Sequence, residues 1–230
     1  MKKNKEKDPL FRKFLTKFIL NPIFKHIFKI EITGIENIPE KGKPAIIVAN
    51  HVSIFDSASI INGIDRHIYY LGKKELLNHP FGRFAVKNYG IIPVDRGHVG
   101  TNAFKEIDEK LNGGYLVGIY PEGTKKGLLK GKKLKIGAIS FAIRNNVPII
   151  PVAFSEKLKI FGTNYINIGK PIYINKQTSE KSELEEITKN VFDNVIKLLN
   201  EEDKKKYLEA IAKRENTLKE LGEKNEKRQN

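Results

Sequence analysis

The chain has 230 residues, 40% of them hydrophobic and thirteen of them Phe, which suits one domain with appendages and excludes disorder for its body. It has no cysteine, which excludes disulfides, thiolate nucleophiles and cysteine-held zinc or iron–sulfur centres. Its 42 basic and 27 acidic residues give a net charge of +15, which attracts anionic partners: nucleic acid, anionic lipid or phosphorylated substrate.

Location narrows that choice. The basic residues concentrate at the N-terminus and in the run Lys125, Lys126, Lys130, Lys132, Lys133 and Lys135. Neither segment carries stacking aromatics or a zinc-finger, helix-turn-helix or RNP-type signature, so a nucleic-acid partner is not expected. The five histidines (26, 51, 67, 79 and 98) lack metal-ligand spacing, and no metal or resident cofactor is expected.

Residues 1–8 are Lys-rich. From Leu10 to Ile30 the apolar positions Leu10/Phe11, Phe14/Leu15, Phe18/Ile19, Ile23/Phe24 and Ile27/Phe28 recur at helical period. Arg12, Lys13, Lys17, Lys25 and Lys29 fall mostly on the other face, and Asn21-Pro22 divides the segment into two short helices. No charge-free run reaches the length of a transmembrane helix, and the spacing of Lys and Arg excludes a signal-peptide core. A helix pair docked on the protein's own core is one reading. So much Phe and Lys together suits an interfacial helix on an anionic leaflet better. Phe11, Phe14, Lys17, Phe18, Phe24 and Phe28 are therefore the expected membrane contacts of a monotopic protein on the cytoplasmic face.

The body alternates strand-like and helix-like segments, which predicts an α/β fold with a mixed central sheet flanked by helices. Strands are expected at Ala45–Ala49, Ile68–Leu71, Ile91–Val94, Tyr115–Tyr120, Ile149–Phe154 and Ile166–Ile168. Helices are expected at Phe55–Ile64, Val99–Asn112 and Lys133–Arg144. The strand in Val147–Phe154 carries two prolines, which argues for an edge or irregular position. From Ser182 the chain turns helical, with a stripe of Leu184, Ile187, Val191, Val195 and Leu198 and a Ser182-x-x-Glu185 cap. Beyond Glu201 the apolar positions thin out, and residues 223–230 are expected to fray. The expected partition is 1–30 (amphipathic membrane-interface helices), 31–175 (the α/β domain) and 176–230 (a charged C-terminal helical extension).

Chemistry concentrates first in Asn50-His51-Val52-Ser53-Ile54-Phe55-Asp56, directly after the first buried strand, where open α/β sheets place their sites. On a regular helix, five residues would leave His51 and Asp56 about 140° apart. They can meet only if His51 precedes the helix and Asp56 lies in its first turn. Ser53 then fits as N-cap, with Asp56 at the third position. In that geometry the carboxylate holds one imidazole nitrogen while the other faces a substrate hydroxyl, as a general base requires. The same residues also read as a capping box with a dipole-favoured Asp.

Three more blocks follow: Gly90-Ile91-Ile92-Pro93-Val94-Asp95-Arg96, Tyr120-Pro121-Glu122-Gly123-Thr124-Lys125 and Val147-Pro148-Ile149-Ile150-Pro151-Val152. In this order the four blocks resemble the glycerolipid acyltransferase family, most closely its bacterial 1-acyl-sn-glycerol-3-phosphate acyltransferases. The family pattern is NHxSxxD, GxIPVDR, FPEGTRS and VPIIPV, and the match covers about residues 44–155. Tyr120 replaces the usual Phe, and Lys125-Lys126 replace Arg-Ser. Lys125 offers a point charge where Arg would offer a bidentate fork.

The resemblance implies acyl transfer from an acyl-carrier-protein or coenzyme A thioester to the free hydroxyl of lysophosphatidic acid. The same chemistry on glycerol 3-phosphate or another lysophospholipid stands as the alternative. A non-catalytic basic protein binding anionic lipid or nucleic acid is the rival from another class. By resemblance, His51 is the base and Asp56 orients it. Arg96 and Lys125 are phosphate ligands. Glu122 receives a glycerol hydroxyl or orients Arg96, and the Gly123 N–H is an oxyanion donor. Thr124 and Lys135 complete the substrate-binding set. Lys126, Lys130, Lys132 and Lys133 read equally as a solvated face or as a surface for the acyl carrier.

Overall fold

The computed structural model describes residues 14, 18, 22–53, 55–95, 100–155, 159–175 and 178–229. Among these residues, seven strands form one sheet: β1 (Ile30–Thr33), β2 (Ala45–Ala49), β3 (Ile68–Lys73), β4 (Ile91–Val94), β5 (Leu116–Ile119), β6 (Ile149–Phe154) and β7 (Asn164–Ile168). Their spatial order is β1-β7-β6-β2-β5-β3-β4. The β6–β7 pair is antiparallel and every other pair is parallel, so the sheet is mixed. Among the described residues, six α-helices accompany it: α1 (Asp56–Gly63), α2 (Pro80–Tyr89), α3 (Thr101–Asn112), α4 (Gly137–Asn145), α5 (Lys181–Lys197) and α6 (Glu201–Gln229).

The central strands are buried on both faces, which is why they read as continuous apolar runs. In β2 every residue is buried. Side chains alternate across the sheet, so Ile46 and Val48 enter one core with Ile107, Phe141 and Val195, while Ala45 and Ile47 enter the other with Ile60 and Ile64.

Three expectations change. The proline-bearing strand is interior, with β6 lying between β2 and β7. The Pro151 carbonyl accepts from the Gly169 N–H at 2.8 Å, so its missing N–H faces the β7 side. There the ladder has already ended at Val152↔Ile168, and no bond to β2 is lost. Helix α2 has no counterpart among the expected helices. Its first turn contains Gly82, where a Cβ would lie 1.9 Å from the Leu76 carbonyl oxygen, and Gly90 ends it in the left-handed conformation. The signal is weak because glycine and aromatics are poor helix formers, and a tight packing contact requires this glycine.

The third change concerns the C-terminal helices. Their expected stripe packs on the α/β body, with Leu184, Val191, Phe192, Val195, Ile196 and Tyr207 in the same core as Ile46 and Val48, but the expected cap is absent. α5 begins at Lys181 without a side-chain cap, and Glu185 pairs with Lys133 instead. α6 stays helical to Gln229, supported early on by an acidic first turn and by i,i+4 pairs such as Lys206–Glu202. Among the described residues, no helix is long and apolar enough to cross a membrane.

At the N-terminal side, Phe14 and Phe18 are exposed and in ring contact at 4.9 Å. Phe24 is buried, at 4% exposure, against Phe28, which removes it from the expected lipid-facing set. The alternation of Phe along the stripe did not distinguish a ring turned to the body from one turned outward. Phe28 is half-buried and touches Phe55 at 5.8 Å. Phe11 and Lys17 lie outside the described residues.

Candidate active site

β2 ends at Ala49, and Asn50 ties that end to its neighbour. Its buried amide donates to the Phe154 carbonyl at 2.9 Å and accepts from the Phe154 N–H at 2.8 Å. His51 follows immediately, at the C-terminal edge of the parallel strands. Its Nδ1 lies 2.8 Å from Asp56 Oδ2. The same carboxylate accepts from the Val52 N–H at 2.8 Å and from the Ser53 N–H at 3.0 Å.

These bonds settle how the heptad works. Helix α1 starts at Asp56 itself, so Asp56 is its first residue, not its third, and Ser53 does not cap it. The Ser53 hydroxyl accepts from the Phe55 N–H at 3.2 Å in the turn before the helix. Asp56 instead gathers the turn around its own side chain, a local carboxylate-to-backbone arrangement that competes with ordinary capping. The carboxylate can only accept, so Nδ1 carries the hydrogen, and in the neutral ring Nε2 is the nitrogen with the lone pair. Asp56 is 4% exposed at its side chain and His51 is 23% exposed, so the ring alone reaches solvent.

Tyr120 stacks on the His51 ring at 4.2 Å, and its hydroxyl is 2.9 Å from Ser57 Oγ. Burial, followed by the nearby Tyr70 and Asp56, holds the Tyr120 phenol well above its usual pKa, so it stays neutral. The stack limits rotation of the imidazole from one side while Asp56 fixes it from another.

Glu122 takes a different role from the one expected. It is 1% exposed, and both oxygens are consumed inside the protein. Oε1 accepts from the His51 N–H at 3.0 Å and from the Tyr207 hydroxyl at 3.1 Å; Oε2 accepts from the Leu128 N–H at 2.8 Å. Buried and bonded in this way, it is not presented to a glycerol hydroxyl and instead braces the backbone of His51. Burial raises its pKa, and the three hydrogen bonds oppose the rise. Tyr207 lies 85 residues from its partner, and nothing local in the sequence pairs them.

The Gly123 N–H donates to the Tyr120 carbonyl at 3.0 Å, closing a turn, so it is not available as an oxyanion donor. The backbone there is left-handed, with φ +65°, and a Cβ would lie 2.7 Å from Lys135 Cε. Lys135 is exposed and lies across this glycine, its own N–H bonded to the Pro121 carbonyl at 2.8 Å. Thr124 is half-buried and its carbonyl accepts from the Gly127 N–H, while Lys125 is exposed. The Lys126 N–H donates to the His51 carbonyl at 2.6 Å, so the basic loop is fastened to the site's backbone. Arg96 lies outside the described residues. Its neighbour Asp95 pairs with Lys74 at 3.6 Å. Among the described residues, no group of three or more His, Cys, Asp or Glu side chains could hold a metal ion.

A model of the acyltransferase family matches residues 29–155, more than half of the chain. Over 180 residues the chain is 30% identical to the 1-acyl-sn-glycerol-3-phosphate acyltransferase of Borreliella burgdorferi, an alignment covering 74% of this chain and 72% of that protein. It is 29% identical over 150 residues to the Bacillus subtilis protein of the same name, covering 63% of this chain and 74% of that one. With the chloroplastic 1-acyl-sn-glycerol-3-phosphate acyltransferase of Arabidopsis thaliana, identity is 27% over 184 residues, and the chain spans about half of that protein (51%). Among solved structures, the 1-acyl-sn-glycerophosphate acyltransferase PlsC of Thermotoga maritima superposes with a TM-score of 0.55 at 25% identity, covering 81% of this chain and 82% of that one. With an oriented histidine at the strand end inside the matched region, the chain belongs to the acyltransferase family and is an acyltransferase.

Proposed function

We propose that the protein transfers an acyl group from an acyl thioester to the free hydroxyl of 1-acyl-sn-glycerol 3-phosphate, giving phosphatidic acid. The observation that carries the chemistry is His51 Nδ1 held at 2.8 Å by a carboxylate that two backbone N–H groups also fix. Nε2 takes the proton of the acceptor hydroxyl as its oxygen attacks the thioester carbonyl. The tetrahedral adduct then collapses, the C–S bond breaks, and the departing thiolate recovers the proton from the imidazolium. No enzyme nucleophile is needed, since holding the two substrates together supplies much of the rate. Asp56 stabilises the imidazolium formed in the first step.

The names of the relatives and the charge of the site support this acceptor. Arg96 after β4, together with the exposed Lys125 and Lys135, provides cations for a phosphate head group. The thioester is carried by acyl-carrier protein or coenzyme A. The acceptor's acyl chain resides in a bilayer, so the protein works as a monotopic enzyme on the cytoplasmic leaflet, with Phe14 and Phe18 toward the lipid. An acceptor panel given both donor types, read by product mass, tests this. Lysophosphatidic acid should be the preferred acceptor, and preference for glycerol 3-phosphate would overturn the assignment. His51→Ala should abolish transfer while the protein stays folded. Asp56→Asn should lower kcat by about 10²-fold or more, because an amide N–H facing Nδ1 selects the wrong tautomer.

A further inference from the structure

The connection between β6 and β7 exposes two large apolar side chains at its tip, Ile160 at 67% and Phe161 at 71%. Exposed apolar residues are common singly, but this pair is held in place by a buried polar network. Asn164, 3% exposed, accepts from the Lys159 N–H at 2.7 Å and donates to the carbonyls of Lys159 and Gly162 at 2.8 and 3.0 Å, and also to that of Phe28. The Phe161 N–H donates to the Ile27 carbonyl at 2.7 Å. Phe161 itself is left-handed, with φ +59°, a conformation that costs a bulky residue free energy. The fold thus holds an aromatic ring in solvent at a conformational cost, which indicates that the ring is used there.

We propose that the Ile160–Phe161 tip is a second membrane-contacting element, entering the headgroup region of an anionic bilayer beside the mouth of the His51 site. The topology aligns the parts. β6 runs parallel to β2, so the tip leaves the same edge of the sheet as His51, and Asn50 bridges the two strand ends. β1 begins at this edge too, with Ile30 opposite Asn164, which brings Ile27 and Phe28 alongside. Phe28 touches Phe55, which is 42% exposed and directly precedes Asp56. Lys25, Lys29 and Lys159 are exposed around the tip and supply the charge that an anionic leaflet attracts. With the tip and the N-terminal segment both in the headgroups, the bilayer meets the protein along a line instead of at one helix. The dyad then faces the plane that holds the acceptor. This inference rests on the membrane-associated part of the proposed function and is independent of the acyl chemistry.

The chain has no cysteine, so Phe161→Cys carries a single environment-sensitive label. On vesicles of phosphatidylglycerol and phosphatidylcholine its emission should shift blue, while a reference label at Leu218→Cys on α6 should not shift. Phe161→Asn separates contact from structure, because Asn tolerates the left-handed backbone. This variant should keep or raise the melting temperature and bind vesicles about tenfold more weakly. Its transfer to a short-chain soluble acceptor should be unchanged. A label at position 161 that stays in water while the protein sediments with vesicles would overturn the second contact and leave the N-terminal one standing. Full-length protein remaining in the supernatant would overturn both. A clear fall in melting temperature for Phe161→Asn would make the ring a packing element and overturn the inference as well.

Discussion

Three donors converge on the Asp56 carboxylate, and three on that of Glu122, yet the two acids do different work. Asp56 meets the His51 ring; Glu122 meets only its backbone. Glu122→Gln presents an amide N–H₂ to donors that need an acceptor, which should cost about 1–3 kcal/mol. The pH dependence has a definite sign. Burial raises the native pKa of Glu122, so the native state takes up its proton before the unfolded chain does. The group's contribution to stability is therefore largest below the unfolded carboxylate value and declines as pH rises through the native one. Urea unfolding from about pH 4 to about pH 8 should show the Gln variant falling furthest behind at the acid end, with the gap narrowing as pH rises. Tyr120→Phe restores the family's usual residue and keeps the ring on His51. It should lose about 1 kcal/mol with the Ser57 hydrogen bond and change kcat by no more than a few-fold. A large loss of activity would mean that the hydroxyl takes part in the chemistry.

Among the elements, α6 contributes most unexpectedly to the site. Its charged sequence suggests an appendage, but Tyr207 is fully buried and reaches Glu122 from the far end of the chain. Tyr207→Phe should cost about 1–2 kcal/mol, which in a domain of this size lowers the melting temperature by about 2–4 °C per kcal/mol. Because Glu122 retains its bonds to His51 and Leu128, acyl transfer by the folded variant should fall only slightly. A scanning calorimetry trace together with kcat at low temperature separates the two effects. β6 makes a related point, since Pro148 before it and Pro151 within it read as edge signals. Which side of a strand a missing N–H faces is set by its neighbours, and here Pro151 faces the end of a ladder.

At the scale of the whole molecule, the net charge of +15 and the exposed Phe14–Phe18 pair bear on where the enzyme works. Deleting residues through Ile30 would also remove Phe24 and the carbonyls that Phe161 and Asn164 use, so it tests folding more than binding. Deletion of residues 2–21, or Phe14→Glu with Phe18→Glu, avoids that. Either change should release the protein from anionic vesicles while transfer to a short-chain soluble acceptor survives. Each basic residue near the leaflet is worth about 1 kcal/mol. High salt should therefore weaken wild-type binding only in part, since the apolar contribution is not screened. Co-sedimentation at low and high ionic strength measures both components.

The sequence alone determined what depends on neighbours along the chain. β2, β4 and β6 appear at their expected residues, because a short run of β-branched residues bounded by turn formers has few other stable conformations. The His51–Asp56 contact was legible for the same reason: five residues can bring those side chains together only across a strand-to-helix turn. The tertiary structure alone decided which groups the fold had already used. Glu122 and the Gly123 N–H look available for substrate in the motif, and both are consumed by partners inside the protein. Tyr207 acquires its role through a contact 85 residues away, and Phe24 turns inward while Phe14 and Phe18 do not. A pattern of residue types records what a side chain can do. Burial and the saturation of hydrogen bonds, which arise only when distant segments pack, decide whether it remains free to do it.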